Sequence, residues 1–311
     1  ITEGYDSRKT SIFADQYKKA LQEIDAYISA KDEETETSLQ ESRNNIIAFM
    51  GDRGTGKTSC MMSVLNMLDS HLKEGKRNQT IATVEVVDPS FFDENTNIIY
   101  LVVGKMFAAF KESIDKNNED NLRVHDLMMA FQNVLSQISM MGKSPLNEND
   151  TDTHQLGNLL VTVNLKKNLK KLVDCYLKYY GNDFLVIPVD DIDNNTDQAY
   201  KMMEQIRKYL ILPNVIILIS FKLEQISNVA ELYFTKLYSP LSSGSKNTVN
   251  VGDMAQKYLL KLFPLEHRVA LPDLKTMMDK ELEVYKNRED KDALLSGSSM
   301  KYTMTALIFR M

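Results

Sequence analysis

The sequence predicts an α/β fold built on a parallel sheet with helices on both faces. Three observations carry this prediction. Five short, mostly apolar runs recur along the 311 residues: "NIIAFM" (45–50), "TIATVEVVD" (80–88), "DFLVIPVDD" (183–191), "NVIILISF" (214–221) and "HRVALP" (267–272). Segments with helical spacing separate them, the alternation expected of βαβ units whose strands are buried on both sides. Third, a chain with only 12 glycines places three of them, Gly51, Gly54 and Gly56, directly after the first apolar run.

The elements follow in order. Residues 11–31 put Phe13, Tyr17, Leu21, Ile24, Tyr27 and Ile28 at helical spacing, an amphipathic helix. Residues 32–43 are acidic and polar and read as a linker. After the first strand a helix is expected over 58–72. The strand at 80–88 is rich in β-branched residues and ends in Asp88-Pro89. Residues 97–114 are apolar nearly throughout and predict a buried helix. Between 115 and 155, Asn/Asp-rich pieces flank one Met-rich helix, "LMMAFQNVLSQISMM", whose methionines read as core packing. Residues 142–155 are polar and predict a mobile stretch.

A helix is expected over 156–180, despite β-branched residues in its first half. In the strand at 183–191, Pro188 lacks a backbone donor, which is unusual in a central strand and points to a bulge. Residues 197–212 are amphipathic, and 222–238 are helical. Residues 239–252 form a loop. A short helix follows over 253–263 with Asp253 as its N-cap, and another over 273–286. The domain organisation is then an N-terminal helix and linker (1–43), a core (44–272) with a helical insertion at about 115–155, and a C-terminal region (273–311) that begins a lid. There is no internal repeat. The chain starts at Ile1 and stops inside the apolar pattern "TALIFRM", and both ends read as truncation.

Composition narrows the class. Hydrophobic residues make up 43% and charged residues 26%, ordinary for a globular protein. No apolar run approaches the ~20 residues of a membrane span. No secretory signal pattern is visible at the start; two isolated cysteines lead to the expectation of a cytoplasmic protein, and no membrane contact is expected. Cys60 and Cys175 are too few and too isolated for a metal site or a disulfide framework. A net charge of −6 excludes a whole-surface nucleic-acid binder and leaves a local basic channel open.

The glycine cluster carries the chemistry. Glycines let backbone N–H groups approach an anion with no Cβ in the way, and the following helix aims its positive end at the same place. Gly51-Asp52-Arg53-Gly54-Thr55-Gly56-Lys57-Thr58 fits G-x-x-x-x-G-K-[ST], the Walker A pattern, with Ser59 next in line. In that pattern Lys57 reaches the β- and γ-phosphates of ATP, and the Thr58 hydroxyl ligates Mg²⁺. The ion needs an acidic partner at the end of a neighbouring buried strand, and "FLVIPVDDIDNN" supplies it. Asp190 would hold Mg²⁺ directly or through a water. Asp191 would orient or deprotonate the attacking water. Asp193, two residues on, is expected to stand behind them. In "ILISFK", Ser220 is a candidate for touching the γ-phosphate or the water.

Together "GDRGTGKT", "VDDID" and "LISFK" resemble the additional-strand (ASCE) branch of P-loop NTPases, and more narrowly the AAA+/STAND ATPases of the KAP type, which read Asp-Asp where other AAA+ proteins read Asp-Glu. "EVVDPSFFDENTNIIYLVVGKMF" and "AQKYLLKLFPLEHRVALP" are similar to segments of bacterial anti-phage ATPases, RADAR-type systems among them, over about 45–275. The resemblance implies a sheet order of 5-1-4-3-2, a helical lid, and ATP hydrolysis in a ring. It implies an adenosine deaminase partner, with nucleic acid reached through that partner or the ring. It also implies a cation supplied by a neighbouring subunit, for which Arg207, Lys261 and Arg268 are candidates. No residue can be assigned to the lid arginine of that group. Adenine is expected against the segment before the first strand, near Tyr5, Arg8 and Phe13. A DNA-loading or initiator ATPase, and a slowly hydrolysing signalling switch, share the same core motifs and remain alternatives.

Overall fold

The computed structural model describes residues 11–33, 44–75, 78–89, 97–116, 121–140, 151–242, 250–273, 281–283 and 301–303. The five apolar runs become β1 (Ile46–Met50), β2 (Ile81–Thr83), β3 (Phe184–Val189), β4 (Val215–Phe221) and β5 (Arg268–Ala270) of a single sheet. Its order is β2-β3-β4-β1-β5, and every neighbouring pair is parallel. Read from the β5 edge this is the expected 5-1-4-3-2.

Successive side chains of a strand point to opposite faces, so a sheet buried on both sides needs apolar residues at every position. All residues of β1, β3 and β4 are buried. On one face Ile47, Phe49, Val186, Ile216 and Leu218 pack against α1 (Ala14–Glu33) and α2 (Lys57–Glu74), through residues such as Leu21, Ile24, Met61, Val64 and Leu68. On the other face Ala48, Ile187, Ile217 and Ile219 join a larger core with α3 (Ile98–Lys116), α4 (Asn121–Met140), α5 (Thr151–Tyr180) and α6 (Thr196–Gln205). The same core takes in α7 (Leu223–Ser242) and α8 (Val251–Leu262). Phe107, Phe110, Phe131 and Tyr179 form its aromatic centre, with Phe110 and Phe131 stacked at 5.6 Å. The result is three layers, with both sheet faces covered.

Pro188 sits inside β3, and the local pairing explains how. The carbonyls of Val186 and Pro188 face β2, accepting from Val84 N and Val87 N at 3.0 and 2.9 Å. The absent N–H of Pro188 would therefore also face β2. There the β2 segment carries one residue more than β3 between the pairs Thr83↔Val186 and Val87↔Val189. This is the expected bulge, and the missing donor falls within it. The β4 side stays regular from Leu185↔Val215 to Val189↔Ile219.

Several boundaries differ from expectation. The strand expected over 80–88 is regular only to Thr83, because the bulge ends it. α5 begins at Thr151, so residues 151–155 are helical; 142–150 lie outside the described residues. α7 runs on to Ser242, into the expected loop. Asn250, not Asp253, caps α8: its side chain accepts the Asp253 N–H at 3.1 Å, which puts Asp253 in the first turn. The helix expected over 273–286 is overturned at 281–283; residues 274–280 and 284–286 lie outside the described residues. Glu281–Glu283 is a strand, β6, pairing antiparallel with β7 (Lys301–Thr303), a partnership that local periodicity does not register.

The helix expected over 197–212 ends at Gln205 and passes into a π-helical turn, Ile206–Leu210. Asn45 accounts for the geometry after it. Its amide, 3% exposed, donates to the carbonyls of Leu210 (3.1 Å) and Val215 (3.0 Å), with Leu212 at 3.5 Å. One buried side chain thus ties the end of the π turn to the start of β4. Asn45→Ala takes this donor from the Leu210 and Val215 carbonyls, whereas Leu212 O keeps Val215 N (3.3 Å) and the Tyr27 hydroxyl (3.4 Å), and we expect a loss of ~1–3 kcal/mol in urea unfolding. A loss below about 0.5 kcal/mol would mean that water replaces the amide without cost.

Candidate functional site

β1 ends at Met50, and the chain turns through Gly51–Gly56 into α2. The turn needs its glycines. A Cβ on Gly51 would lie 2.5 Å from Thr55 Oγ1, and Gly54 and Gly56 adopt φ of +84° and +85°. Gly56 is the N-cap of α2 in the left-handed region, with no side-chain cap. The first-turn N–H groups of an 18-residue helix are thereby left to an outside acceptor, and its dipole favours an anion. Asp52 shapes the loop through its carbonyl, which accepts from Thr55 N (3.3 Å), Thr55 Oγ1 (2.8 Å) and Lys57 Nζ (3.3 Å). Arg53 and Ser59 are exposed. Phe13, at the entrance to α1, lies over the loop: a Cβ on Gly56 would be 2.8 Å from its Cζ. Tyr5 and Arg8 lie outside the described residues.

The carboxylates at the end of β3 meet this loop across 132 residues of chain. Thr58 Oγ1 donates to Asp190 Oδ1 at 3.1 Å, and Lys57 Nζ stands 4.0 Å from Asp191 Oδ1. Lys57 and Asp190 are nearly buried, whereas the Asp191 side chain is 35% exposed. Asp191 has φ of +47°, a conformation that aspartate tolerates better than most residues. Asn194 closes the turn behind it, donating from its backbone to Asp191 O (3.1 Å) and from Nδ2 to Asp191 Oδ2 (3.3 Å).

Ser220 lies against the carboxylate pair. It is fully buried on β4, donates to Asp190 Oδ1, and accepts the Asp191 N–H at 2.9 Å. Its hydroxyl is committed on both sides, so it positions the carboxylate pair instead of facing the loop. Asp193 is also held, by the residues that follow β4. Lys222 N donates to its Oδ2 at 2.9 Å, and Gln225 Nε2 to its carbonyl at 3.0 Å, while Oδ1 is buried without a partner. Burial pushes the Asp193 carboxyl above the usual carboxylate range, against the opposing Lys222 N–H.

Sequence reasoning missed Lys222. Its Nζ lies 3.1 Å from Asp52 Oδ1 in the loop and 3.0 Å from Glu224 Oε2, which makes it a second cation at the mouth of the site. The signal was its place one residue beyond the apolar run of β4, where a strand end faces the loop. The three cations considered for a neighbour's site fare differently. Arg207 is engaged by Glu204 in two bonds of 2.8 and 2.9 Å. Arg268 caps the end of α8, donating to Phe263 O (2.7 Å) and Leu259 O (3.4 Å). Lys261 is exposed. Cys60, in the first turn of α2, is buried and its thiol is pushed up to about 12, so it is inert at neutral pH.

Among the described residues, no group of three or more His, Cys, Asp or Glu could hold a metal ion by itself. None of the helices among them is long and apolar enough to cross a membrane. No protein-family model matches the chain, and no curated protein matches it.

Asp193 makes a pH prediction. A carboxyl whose pKa is raised on folding binds more protons folded than unfolded between its two pKa values, so its contribution to stability falls as pH rises through that window. Asp193→Asn removes this group and keeps an acceptor for Lys222 N. The variant is expected to gain stability relative to wild type as pH rises above ~4, the ordinary aspartate value, read as melting temperature. A difference that stays constant with pH would contradict the assignment.

Proposed function

We propose that the chain binds ATP with Mg²⁺ at the Gly51–Thr58 loop and hydrolyses it. One observation carries the reading: two motifs separated by more than a hundred residues meet side chain to side chain, Thr58 on Asp190 and Lys57 beside Asp191. A glycine turn feeding an ordinary helix would not require a carboxylate pair opposite it. The donor set also suits the ion. Mg²⁺ uses one or two protein oxygens and completes its shell with phosphates and water. Thr58 and Asp190 supply such oxygens.

The roles follow from geometry. The loop N–H groups and the open start of α2 would receive the β-phosphate. Lys57 would exchange the Asp52 carbonyl for the β- and γ-phosphates. Thr58 and Asp190 would hold Mg²⁺, which when bound withdraws charge from the phosphate oxygens. Asp191, the more exposed carboxylate, would orient the attacking water and accept its proton. Ser220 would keep Asp190 and Asp191 in fixed relation, and Phe13 offers an apolar ring on the side where adenine would lie. Lys222, released from Asp52, would add positive charge at the mouth.

The assignment to the ASCE branch and to AAA+/STAND ATPases of anti-phage defence rests on the motif resemblance. So do the ring and the adenosine deaminase partner, while the cytoplasmic location rests on the two isolated cysteines. Of the three cations considered for a neighbour's site, Lys261 is favoured, because Arg207 and Arg268 are engaged within their own chain.

The test separates binding from turnover. Lys57→Ala is expected to weaken ATP binding at least tenfold by calorimetry. Asp191→Asn should retain binding while phosphate release falls about 10²–10⁴-fold, the usual contribution of a positioned base. Unchanged affinity and rate in Lys57→Ala would sink the proposal. In a second experiment, wild type is titrated with Lys261→Ala chains. We expect turnover to fall faster than the wild-type fraction; a strictly proportional fall removes Lys261 from a shared site.

A further inference from the structure

We propose that a cavity at the start of β1, between α1 and the turn into β5, binds a small organic cation that carries guanidinium or ammonium groups. The cavity has a volume of about 360 Å³, the size of a small-molecule site. Glu23 and Tyr27 of α1 line it, with Asn45 from just before β1 and Glu266 and His267 from just before β5. Ile47, Ile216 and Pro264 supply apolar wall.

Three observations select the occupant. The first is an unused acceptor. Asn45 is 3% exposed. Its Nδ2 is spent on the carbonyls of Leu210 and Val215, and its backbone carbonyl accepts from Ile217 N at 2.9 Å. Asn45 Oδ1 is buried with no partner among the described residues, so it is the polar side-chain atom that Asn45 has left for the cavity. A buried acceptor left bare is costly, and a ligand N–H removes the cost.

The second is charge. The lining holds two carboxylates and neither lysine nor arginine. Glu23 approaches His267 Nε2 at 3.8 Å, whereas the exposed Glu266 has no ion-pair partner among the described residues. One imidazole is the most that opposes two acids, so the wall attracts a cation and repels phosphates and carboxylates.

The third is spacing. Glu23, Glu266 and His267 are side chains of the types that bind metals, yet no group of three or more His, Cys, Asp or Glu among the described residues could hold a metal ion. Their donor atoms do not converge on one point, so a cation that reaches both acids must be extended. Its alkyl part would lie along Ile47, Ile216 and Pro264, and Tyr27 adds an aromatic ring of the kind on which a guanidinium stacks.

The cavity lies away from the candidate ATP site. Asn45 directly precedes β1 and His267 directly precedes β5, whereas the glycine loop and the carboxylate pair follow the far ends of β1 and β3. Cation binding should therefore need neither ATP nor Lys57, so this inference stands or falls independently of the proposed hydrolysis. A ligand bound between Glu23 of α1 and Asn45 would also tie that helix to the sheet and stabilise the folded chain.

The experiment is calorimetry and thermal melting of the full chain with agmatine, a guanidinium and an ammonium joined by an alkyl chain, at fixed ionic strength and without nucleotide. Tetramethylammonium supplies charge without N–H, glutarate supplies carboxylates, and the peptide Gly-Arg-Gly presents a guanidinium from a polypeptide. We expect one agmatine per chain, a raised melting temperature, and at least tenfold weaker binding of the other three. Glu23→Gln combined with Glu266→Gln should lower agmatine affinity at least tenfold. Glu266→Gln alone, at an exposed position, should lower it at least threefold with the unliganded melting temperature unchanged. Lys57→Ala should bind agmatine like wild type. The proposal is overturned if agmatine does not bind, if tetramethylammonium or glutarate matches it, or if Gly-Arg-Gly binds more tightly, which would make a protein's arginine the occupant. Unchanged affinity in the glutamine variants, or loss of binding in Lys57→Ala, overturns it as well.

Discussion

The hydroxyl of Ser220 is the joint on which the site turns. It stands on β4, between the strand that delivers the glycine loop and the strand that delivers the carboxylates. With one proton and its lone pairs it holds Asp190 by its side chain and Asp191 by its backbone. Those two bonds set two adjacent residues on different tasks: Asp190 is drawn down onto Thr58, and Asp191 is turned through a left-handed conformation toward Lys57. A hydroxyl in that place requires the parallel registers on both sides to be correct. β4 meets β3 at Ile219↔Val189 and β1 at Ser220↔Phe49. A slip of one residue would carry Ser220 to the other face of the sheet and place an isoleucine or phenylalanine against the carboxylates.

The registers in turn rest on the two cores. Each face of β1, β3 and β4 is apolar and covered, so the register is held by the fit of side chains in the two cores and not by inside–outside alternation. The bulge at Pro188 shows where the sheet gives way. Irregularity is confined to the β2 edge, and the β3–β4 contact that carries the site remains regular.

Carboxylates outnumber ammonium groups around the loop. Asp52, Asp190, Asp191 and Asp193 lie near Lys57 and Lys222, and each lysine approaches a carboxylate as well as its other contacts. A polyphosphate entering this site would compete with Asp52 for both ammonium groups, which gives the loop a reason to rearrange on binding. At the other end of the sheet Lys166, Lys167, Lys170 and Lys208 line a single groove, and Glu204 lies 3.6 Å from Lys208. The helical segment from Thr196 to Leu210 runs from the carboxylate turn to that groove, passing from α-helix to a π turn on the way. π turns recur where a helix serves a site, since the extra residue redirects the side chains that follow.

The sequence by itself determined the five strands, their parallel order by resemblance, the glycine turn and the carboxylate pair opposite it. These are local signals: an apolar run, a helical period, a glycine where a Cβ would collide, two acids where a buried strand ends. Each is written within about ten consecutive residues. Tertiary structure alone decided what the polar side chains touch. Ser220 was legible as a polar residue at a strand end, but its commitment to both aspartates depends on register. Lys222 and Asn194 became part of the site, and Arg207 and Arg268 were drawn into pairs of their own chain, through packing between distant segments. The pairing of Glu281–Glu283 with Lys301–Thr303 likewise overrode a helical period. Backbone propensity is a property of neighbours along the chain, whereas a hydrogen-bond partner is chosen by the fold, and no local pattern records that choice.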